Sequence, residues 1–240
     1  MKIICVIPAR YNSSRFIGKP LTPILGKPMI TWVCDAIAQI PEISQTYVAT
    51  DDERIFKVVE EHGVKAVMTG DCSCGTERVY EACKDMDFDI VLNIQGDEPL
   101  IQREIVLDLI SAFKDKDVYM ATLKKRIESD KEINDKNIAK VVTDCHNNAI
   151  YFSRSPIPCN RDQREGVLFF KHIGVYGYTK DFLGQYVKLP GTPLETAEAL
   201  EQLRVIECGY KIRVVETNHQ SIGVDIPEHV PVVEKYLLNK

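Results

Sequence analysis

The chain has 240 residues, 45% of them apolar and 27% charged, the balance of a globular protein with a core of its own. Its net charge of −5 argues against a binder of duplex nucleic acid, which carries a basic face, but leaves room for a nucleotide held by a local basic loop. No run approaches the roughly 20 apolar residues of a membrane span, and the opening MKIICVIPAR lacks the length and cleavage context of a signal peptide, so a cytoplasmic protein without membrane insertion is expected.

Ile3–Ile7 is a run of mostly β-branched apolar residues and reads as a buried strand. The loop Pro8–Lys27 follows, and Pro28 opens a helix over Met29–Ile40. Thr46–Thr50 predicts a second strand. Asp51 and Asp52 lead into an amphipathic helix, Glu53–His62, which Gly63 caps. Lys65–Met68 predicts a third strand, and Gly75–Lys84 a loop entering a helix. Ile90–Ile94 predicts the central strand. It stops at Gln95-Gly96-Asp97-Glu98-Pro99, and a helix Arg103–Phe113 follows. This alternation predicts an α/β, Rossmann-like architecture with a mainly parallel sheet and helices on both faces.

The second half changes character. Strands are predicted at Val118–Thr122, Lys140–Thr143, Ala149–Phe152 and His172–Tyr178, with a polar stretch Ser153–Gly166 between the last two. They predict a smaller β-rich insertion, about residues 138–180, within a single domain 1–240. A helix Leu194–Cys208 ends at Gly209, Lys211–Glu216 forms a final strand, and Gly223-Val224-Asp225-Ile226-Pro227 opens the last helix.

The loop leaving the first strand carries Arg10, Arg15, Lys19 and Lys27 and no acid. In parallel sheets ligands bind beyond the carboxyl ends of the strands, and cations beside backbone N–H groups there suit a polyphosphate; the alternative is a solvated basic loop. Neither Gly18-Lys19 nor Gly26-Lys27 is a Walker motif, because Pro follows each lysine. Asp97, just past the central strand, is placed to hold Mg²⁺ against phosphate oxygens or, alternatively, to cap the next helix. Asp225 offers a second metal carboxylate or another cap. Gly75-Thr76-Glu77-Arg78 reads as a grip on base or phosphate, or as a helix entry with a surface ion pair. Arg154, Arg161, Arg164, Lys171 and His172 suit an anionic substrate or a solvated loop, and Glu198, Glu201 and Gln202 suit sugar hydroxyls or helix-surface pairing.

Taken in order, these segments resemble the 3-deoxy-manno-octulosonate cytidylyltransferases. The resemblance runs through Ile7-Pro8-Ala9-Arg10-Tyr11, Ser13-Ser14-Arg15, Gly18-Lys19-Pro20-Leu21, Gly75-Thr76-Glu77-Arg78 and Gln95-Gly96-Asp97-Glu98-Pro99. It continues in Tyr151-Phe152-Ser153-Arg154, His172-Ile173-Gly174-Val175-Tyr176-Gly177-Tyr178, Leu200-Glu201-Gln202-Leu203-Arg204 and Gly223-Val224-Asp225. The opening loop is shared with other sugar cytidylyltransferases, and the later motifs narrow the match. Cys74 and Ile226 depart from the Ser and Thr that many relatives carry there.

The resemblance implies a nucleotidyltransferase fold, CTP and a 3-deoxy-octulosonate-type sugar acid as substrates, Mg²⁺ as cofactor, and a homodimer built largely through the insertion, which also carries sugar-binding residues. It implies that Arg10, Lys19 and Asp97 are catalytic; that Pro8, Arg10, Ser13, Arg15, Lys19, Thr76 and Arg78 bind the nucleotide; that Gln95, Arg154, His172, Tyr176, Glu201 and Gln202 line the sugar pocket; and that Asp97 and Asp225 hold the metal. Rival expectations are a cytidylyltransferase for another sugar acid, such as the 8-amino analogue or a nonulosonate, and a catalytically silent nucleotide-binding regulator. A dinucleotide-dependent dehydrogenase is a weaker rival, since the GxGxxG motif is missing.

Overall fold

The computed structural model describes residues 1–13 and 16–239. In chain order its elements are β1 (Ile3–Ala9), a 3-10 turn (Lys19–Leu21), the short strands β2 (Pro23–Ile24) and β3 (Lys27–Pro28), α1 (Met29–Ala38), β4 (Gln45–Thr50), α2 (Glu53–Glu61), β5 (Lys65–Met68), α3 (Gly75–Cys83), β6 (Ile90–Asn93) and α4 (Arg103–Ser111). Then come β7 (Met120–Arg126), α5 (Asp130–Asn134), β8 (Lys140–Thr143), β9 (Ala149–Ser153), β10 (Phe170–Thr179), α6 (Lys180–Tyr186), α7 (Pro193–Glu198), α8 (Leu203–Glu207), β11 (Arg213–Glu216) and α9 (Val230–Leu238). The fold is the mixed α/β type expected, and it divides into two compact units: Met1–Ile105 with Gln220–Lys240, and Val106–His219. The segment read as an insertion lies inside the second unit.

In the first unit, β1 pairs in parallel with β6 on one side and β4 on the other, and β4 pairs in parallel with β5. β6 is buried throughout and β1 almost throughout, as strands covered on both faces must be. Helices α1, α2 and α3 pack on these strands. Charge therefore has room only where the strands stop. The C-terminal segment returns to that region: Val224 N–H donates to the Asp97 carbonyl at 2.8 Å. Val224 and Val233 of α9 join Ile24, Met29 and Leu100 in one apolar cluster. This is how an acid near the chain end comes to lie beside the turn after β6.

In the second unit, β7 pairs in parallel with β11 and antiparallel with β10, and β8 pairs antiparallel with β9 and β10. The β10–β7 register shifts between Ile173 and Tyr176, a bulge that re-aims side chains. Tyr119 and Tyr210 pack their rings on Phe182, at 4.4 and 5.3 Å between centroids.

Several predicted bounds move. The loop Pro8–Lys27 contains the 3-10 turn and the β2–β3 hairpin, closed by Leu25 and Gly26 at φ 48° and 78°, the left-handed pair that a two-residue hairpin turn needs. The strand predicted at Val118–Thr122 runs instead from Met120 to Arg126, and α5 and α6 add two helices that short apolar spacing did not reveal. The largest correction concerns the predicted helix Leu194–Cys208. It is two short helices, α7 and α8, broken at Ala199, whose φ and ψ are both 51°. Neither Gly nor Pro marks that break; side-chain partners of Glu198, described below, hold it.

Gly96 sits where backbone must approach backbone. A Cβ there would lie 3.2 Å from the Pro8 carbonyl oxygen and 3.1 Å from Ile30 Cδ1, and the β1 backbone has no room to yield. Gly96→Ala is expected to cost about 1–3 kcal/mol, read as a lower urea midpoint with an unchanged slope.

Candidate active site

The first unit gathers the ends of β1, β6 and α3. Gly75, at the start of α3, lies so close to β1 and β6 that a Cβ would stand 3.7 Å from Pro8 Cγ and 4.0 Å from Gln95 Oε1. Buried Asn93 links the two sides: its amide donates to Thr76 Oγ1 at 3.4 Å, and Gln95 Nε2 donates to its Oδ1 at 3.2 Å. Thr76 is fully buried, so its hydroxyl serves this network. The start of α3 and Pro8 thus share one floor. Arg10, the first residue past β1, is exposed, and Ser13 is half-buried. Arg15 lies outside the described residues.

Lys19 is the cation that turns inward. Gly18, at φ 71°, accepts the left-handed geometry that starts the 3-10 turn, and its N–H donates to the Tyr11 carbonyl at 2.8 Å. Lys19 Nζ then pairs with Asp97 Oδ2, with both side chains largely buried. Lys27 does not join it: its ammonium pairs with Asp35 and lies 4.5 Å from the Trp32 ring centroid. Arg78 is also committed. Its guanidinium is buried and donates to Asp51 at 2.6 Å and to Thr69 Oγ1 at 2.5 Å, tying α3 to the residues that follow β4 and β5. That is a wall member rather than a surface pair.

Asp97, Glu98 and Asp225 form an acidic group beside Lys19. Burial first, then the negative charges of Asp97 and Asp225, raise the Glu98 pKa to about 7. Glu98 Oε2 is buried and has no hydrogen-bond partner among the described residues. Asp97 lies too far ahead of Arg103 to cap α4, and Ile226, not Asp225, precedes the 3-10 turn Pro227–His229; the capping alternatives for both acids therefore fall away. Among the described residues no three His, Cys, Asp or Glu side chains close into a metal cage. Two carboxylates with an acceptor-rich surround still suit Mg²⁺, which takes one or two protein carboxylates and completes its shell with water and phosphate oxygens.

The second unit builds a separate polar patch on β10. The His172 and Tyr176 rings stand 5.5 Å apart, and Phe152 meets His172 edge-on at 4.9 Å. Thr122 Oγ1 lies 2.8 Å from the Val175 carbonyl and 2.9 Å from His172 Nε2. Giving the single hydroxyl proton to the carbonyl assigns Nε2–H as the donor to Thr122 and leaves Nδ1 as the acceptor. Burial pushes the His172 pKa down to about 3, so the ring is neutral near pH 7. Burial and the nearby Glu201 raise the Tyr176 pKa well above its ordinary value. Gln202 is 2% exposed, and its Nε2 has no hydrogen-bond partner among the described residues. The remaining cations of the sequence pattern turn elsewhere: Lys171 pairs with Glu132 at 2.5 Å and Arg164 with Asp162 at 3.1 Å, and Arg161 is exposed. Arg154 spends its guanidinium on the carbonyls of Glu198, Ala199, Lys136 and Asn137.

Sequence reasoning missed Asn93 and the structural tie made by Glu198, which it read as a partner of sugar hydroxyls or of the helix surface. A polar residue inside the apolar run Ile90–Ile94 was the available signal for the first. Nothing local signalled the second, whose partners come from β9.

A parallel sheet with a lysine–aspartate pair at its strand ends suits a nucleotide phosphate, and the family profile that matches residues 4–212 makes the chain a cytidylyltransferase. The chain is 49% identical over 240 residues to the 3-deoxy-manno-octulosonate cytidylyltransferase of Fusobacterium nucleatum, covering 99% of this chain and 97% of that one. It is 47% identical to the enzyme of the same name from Solibacter usitatus, covering 98% and 94%. A solved structure of CMP:2-keto-3-deoxy-manno-octonic acid synthetase complexed with CTP superposes with a TM-score of 0.94 at 40% identity, covering 100% of this chain and 99% of that one. The chain belongs to the 3-deoxy-manno-octulosonate cytidylyltransferase family.

The neutral His172 has a consequence for stability. Its folded pKa lies below the unfolded value of about 6.5, so below that pH the unfolded chain takes up a proton that the native ring refuses. Its share of stability is complete above about pH 6.5 and is lost at about 1.4 kcal/mol per pH unit as pH falls toward 3. His172→Gln is expected to flatten that slope. Urea unfolding of both proteins from pH 7 to 4.5 checks it: a constant difference would refute the assignment.

Proposed function

We propose that the protein is an enzyme that transfers CMP from CTP to 3-deoxy-D-manno-octulosonate (Kdo), releasing pyrophosphate and forming CMP-Kdo. The observation that carries the reading is the convergence of Lys19, Asp97 and Asp225 at the strand ends of the first unit. Family membership names the acceptor and does not favour its 8-amino analogue or a nonulosonate. A silent regulator would have no need to keep the lysine and both acids together.

In the reaction the anomeric hydroxyl oxygen of the sugar acid forms a bond to the α-phosphorus. The bond from that phosphorus to the bridging oxygen breaks, pyrophosphate leaves with the electron pair, and the hydroxyl proton passes to solvent. Little covalent work falls to the protein, so positioning and charge neutralisation set the rate. Lys19 must leave Asp97 for the phosphates, and Arg10 meets them from just past β1. Pro8, Ser13, Thr76 and Arg78 shape or line the nucleotide cradle, with Arg78 acting through the wall it braces. Asp97 and Asp225 would hold Mg²⁺, which supplies Lewis-acid charge at the transferring phosphate. On the acceptor side, neutral His172 offers a hydrogen-bond acceptor to a hydroxyl rather than a cation to a carboxylate. Tyr176, Glu201 and the buried amide of Gln202 complete the set within the second unit. A cytoplasmic homodimer feeding lipopolysaccharide or capsule synthesis belongs to the same reading.

Purified protein given CTP and a panel of sugar acids tests it by pyrophosphate release. Kdo is expected to give the highest kcat/KM, with activity lost to a chelator and restored by Mg²⁺. Asp97→Asn is expected to lower kcat by about two orders of magnitude or more, since a lost metal carboxylate removes transition-state charge stabilisation. Preference for a nonulosonate overturns the acceptor, and near-normal turnover by Asp97→Asn overturns the metal role.

A further inference from the structure

The break between α7 and α8 is built, not incidental. The Glu198 carboxylate ends α7 inside a cup supplied by the end of β9. Ser153 Oγ donates to its Oε1 at 2.6 Å, Tyr151 Oη reaches the same oxygen at 3.4 Å, and Arg154 N–H donates to Oε2 at 2.8 Å. Arg154 then closes over the backbone: Nε donates to the Glu198 carbonyl at 2.8 Å and Nη2 to the Ala199 carbonyl at 3.3 Å. The far side of the cup is fixed by Lys140, which is fully buried and donates from Nζ to the carbonyls of Arg154, Ile138 and Asp135 at 2.6, 2.6 and 2.9 Å. Ala199, with φ and ψ of 51°, sits in the left-handed region that a residue with a Cβ enters only when its surroundings compel it. Leu200 through Gln202 follow directly. Burial works against ionisation of Glu198, but the Ser153, Arg154 and Tyr151 bonds outweigh it and hold the pKa below its ordinary value.

We propose that Glu198 is a positioning residue for the acceptor side: seated in the Ser153–Arg154 cup, it forces the Ala199 turn and so aims Glu201 and Gln202 at the sugar acid. The inference rests on the reading that those two residues line the acceptor pocket. It assigns Arg154 the same duty, with its guanidinium bracing the turn through backbone carbonyls.

Steady-state kinetics on the full chain, with CTP and Kdo varied separately, test the proposal. Glu198→Ala is expected to raise KM for Kdo at least tenfold, leave KM for CTP within twofold, and change kcat less than threefold. Glu198→Gln can still accept from Arg154 N–H, while its amide donates to Ser153 Oγ; it is expected to bring the Kdo KM within threefold of the parent. Ser153→Ala, a milder lesion, keeps the test open if Glu198→Ala does not fold, and is expected to raise the Kdo KM about threefold at unchanged CTP KM. Parallel rises in both KM values, or no rise in either, overturn the proposal by making the cup a fold element only. A Glu198→Gln as impaired as Glu198→Ala also overturns it, because charge rather than placement would then be at work. If the parent protein itself does not turn over Kdo, the functional reading fails instead, and the two failures stay distinct.

Discussion

A sheet buried on both faces tolerates ionised groups only where its strands end, and the chemistry of the first unit follows from that constraint. β1 and β6 are almost wholly buried, with Asn93 the one polar residue of β6, and they deliver Pro8, Gln95 and Asp97 to one edge. The contact between Lys19 and Asp97 then couples the two turns that leave those strands. The C-terminal segment adds Asp225 because an apolar cluster around Val224 and Val233 pulls it back across the same edge. Packing places the acid, and its charge then has somewhere to act.

The two units solve opposite problems. The first must receive a highly charged ligand, and it keeps uncancelled acceptors such as Glu98 Oε2 close to a lysine. The second carries its polar groups in a drier setting. His172 is neutral, Tyr176 stays protonated, and Gln202 is almost fully buried. Recognition of a hydroxyl-rich molecule by buried, oriented hydrogen-bonding groups gives discrimination, because an analogue that lacks a partner leaves one of them unpaired.

Much of this was legible in the sequence, and the failures have a common cause. Strands were readable because period and burial agree, and Lys19 and Asp97 were readable because they border the strongest strands. Lys27, Arg78, Lys171 and Arg154 read as cations available to an anion. Each instead meets an acid or carbonyls that lie elsewhere in the chain: Asp35, Asp51, Glu132 and the 136–137 and 198–199 carbonyls. Local composition counts charges but not their partners. The kink at Ala199 escaped for the same reason, since Glu198 is bound from β9 and the sequence around it keeps a helical spacing. Asn93 was visible as an oddity in an apolar run, and its value lies in bridging Thr76 and Gln95.

Because Lys19 and Asp97 neutralise each other, the resting cleft offers the solvent a weaker local field than its residue content suggests. Arg10 alone of the inward loop's described cations stands exposed. Under the proposed function, long-range attraction and final grip fall to different residues, Arg10 and Lys19. The first is a diffusional matter that dissolved salt attenuates within about 10 Å at 0.1 M; the second is a partner exchange at contact distance that salt barely touches. Ionic strength will act on how fast the triphosphate arrives and far less on how firmly it is held.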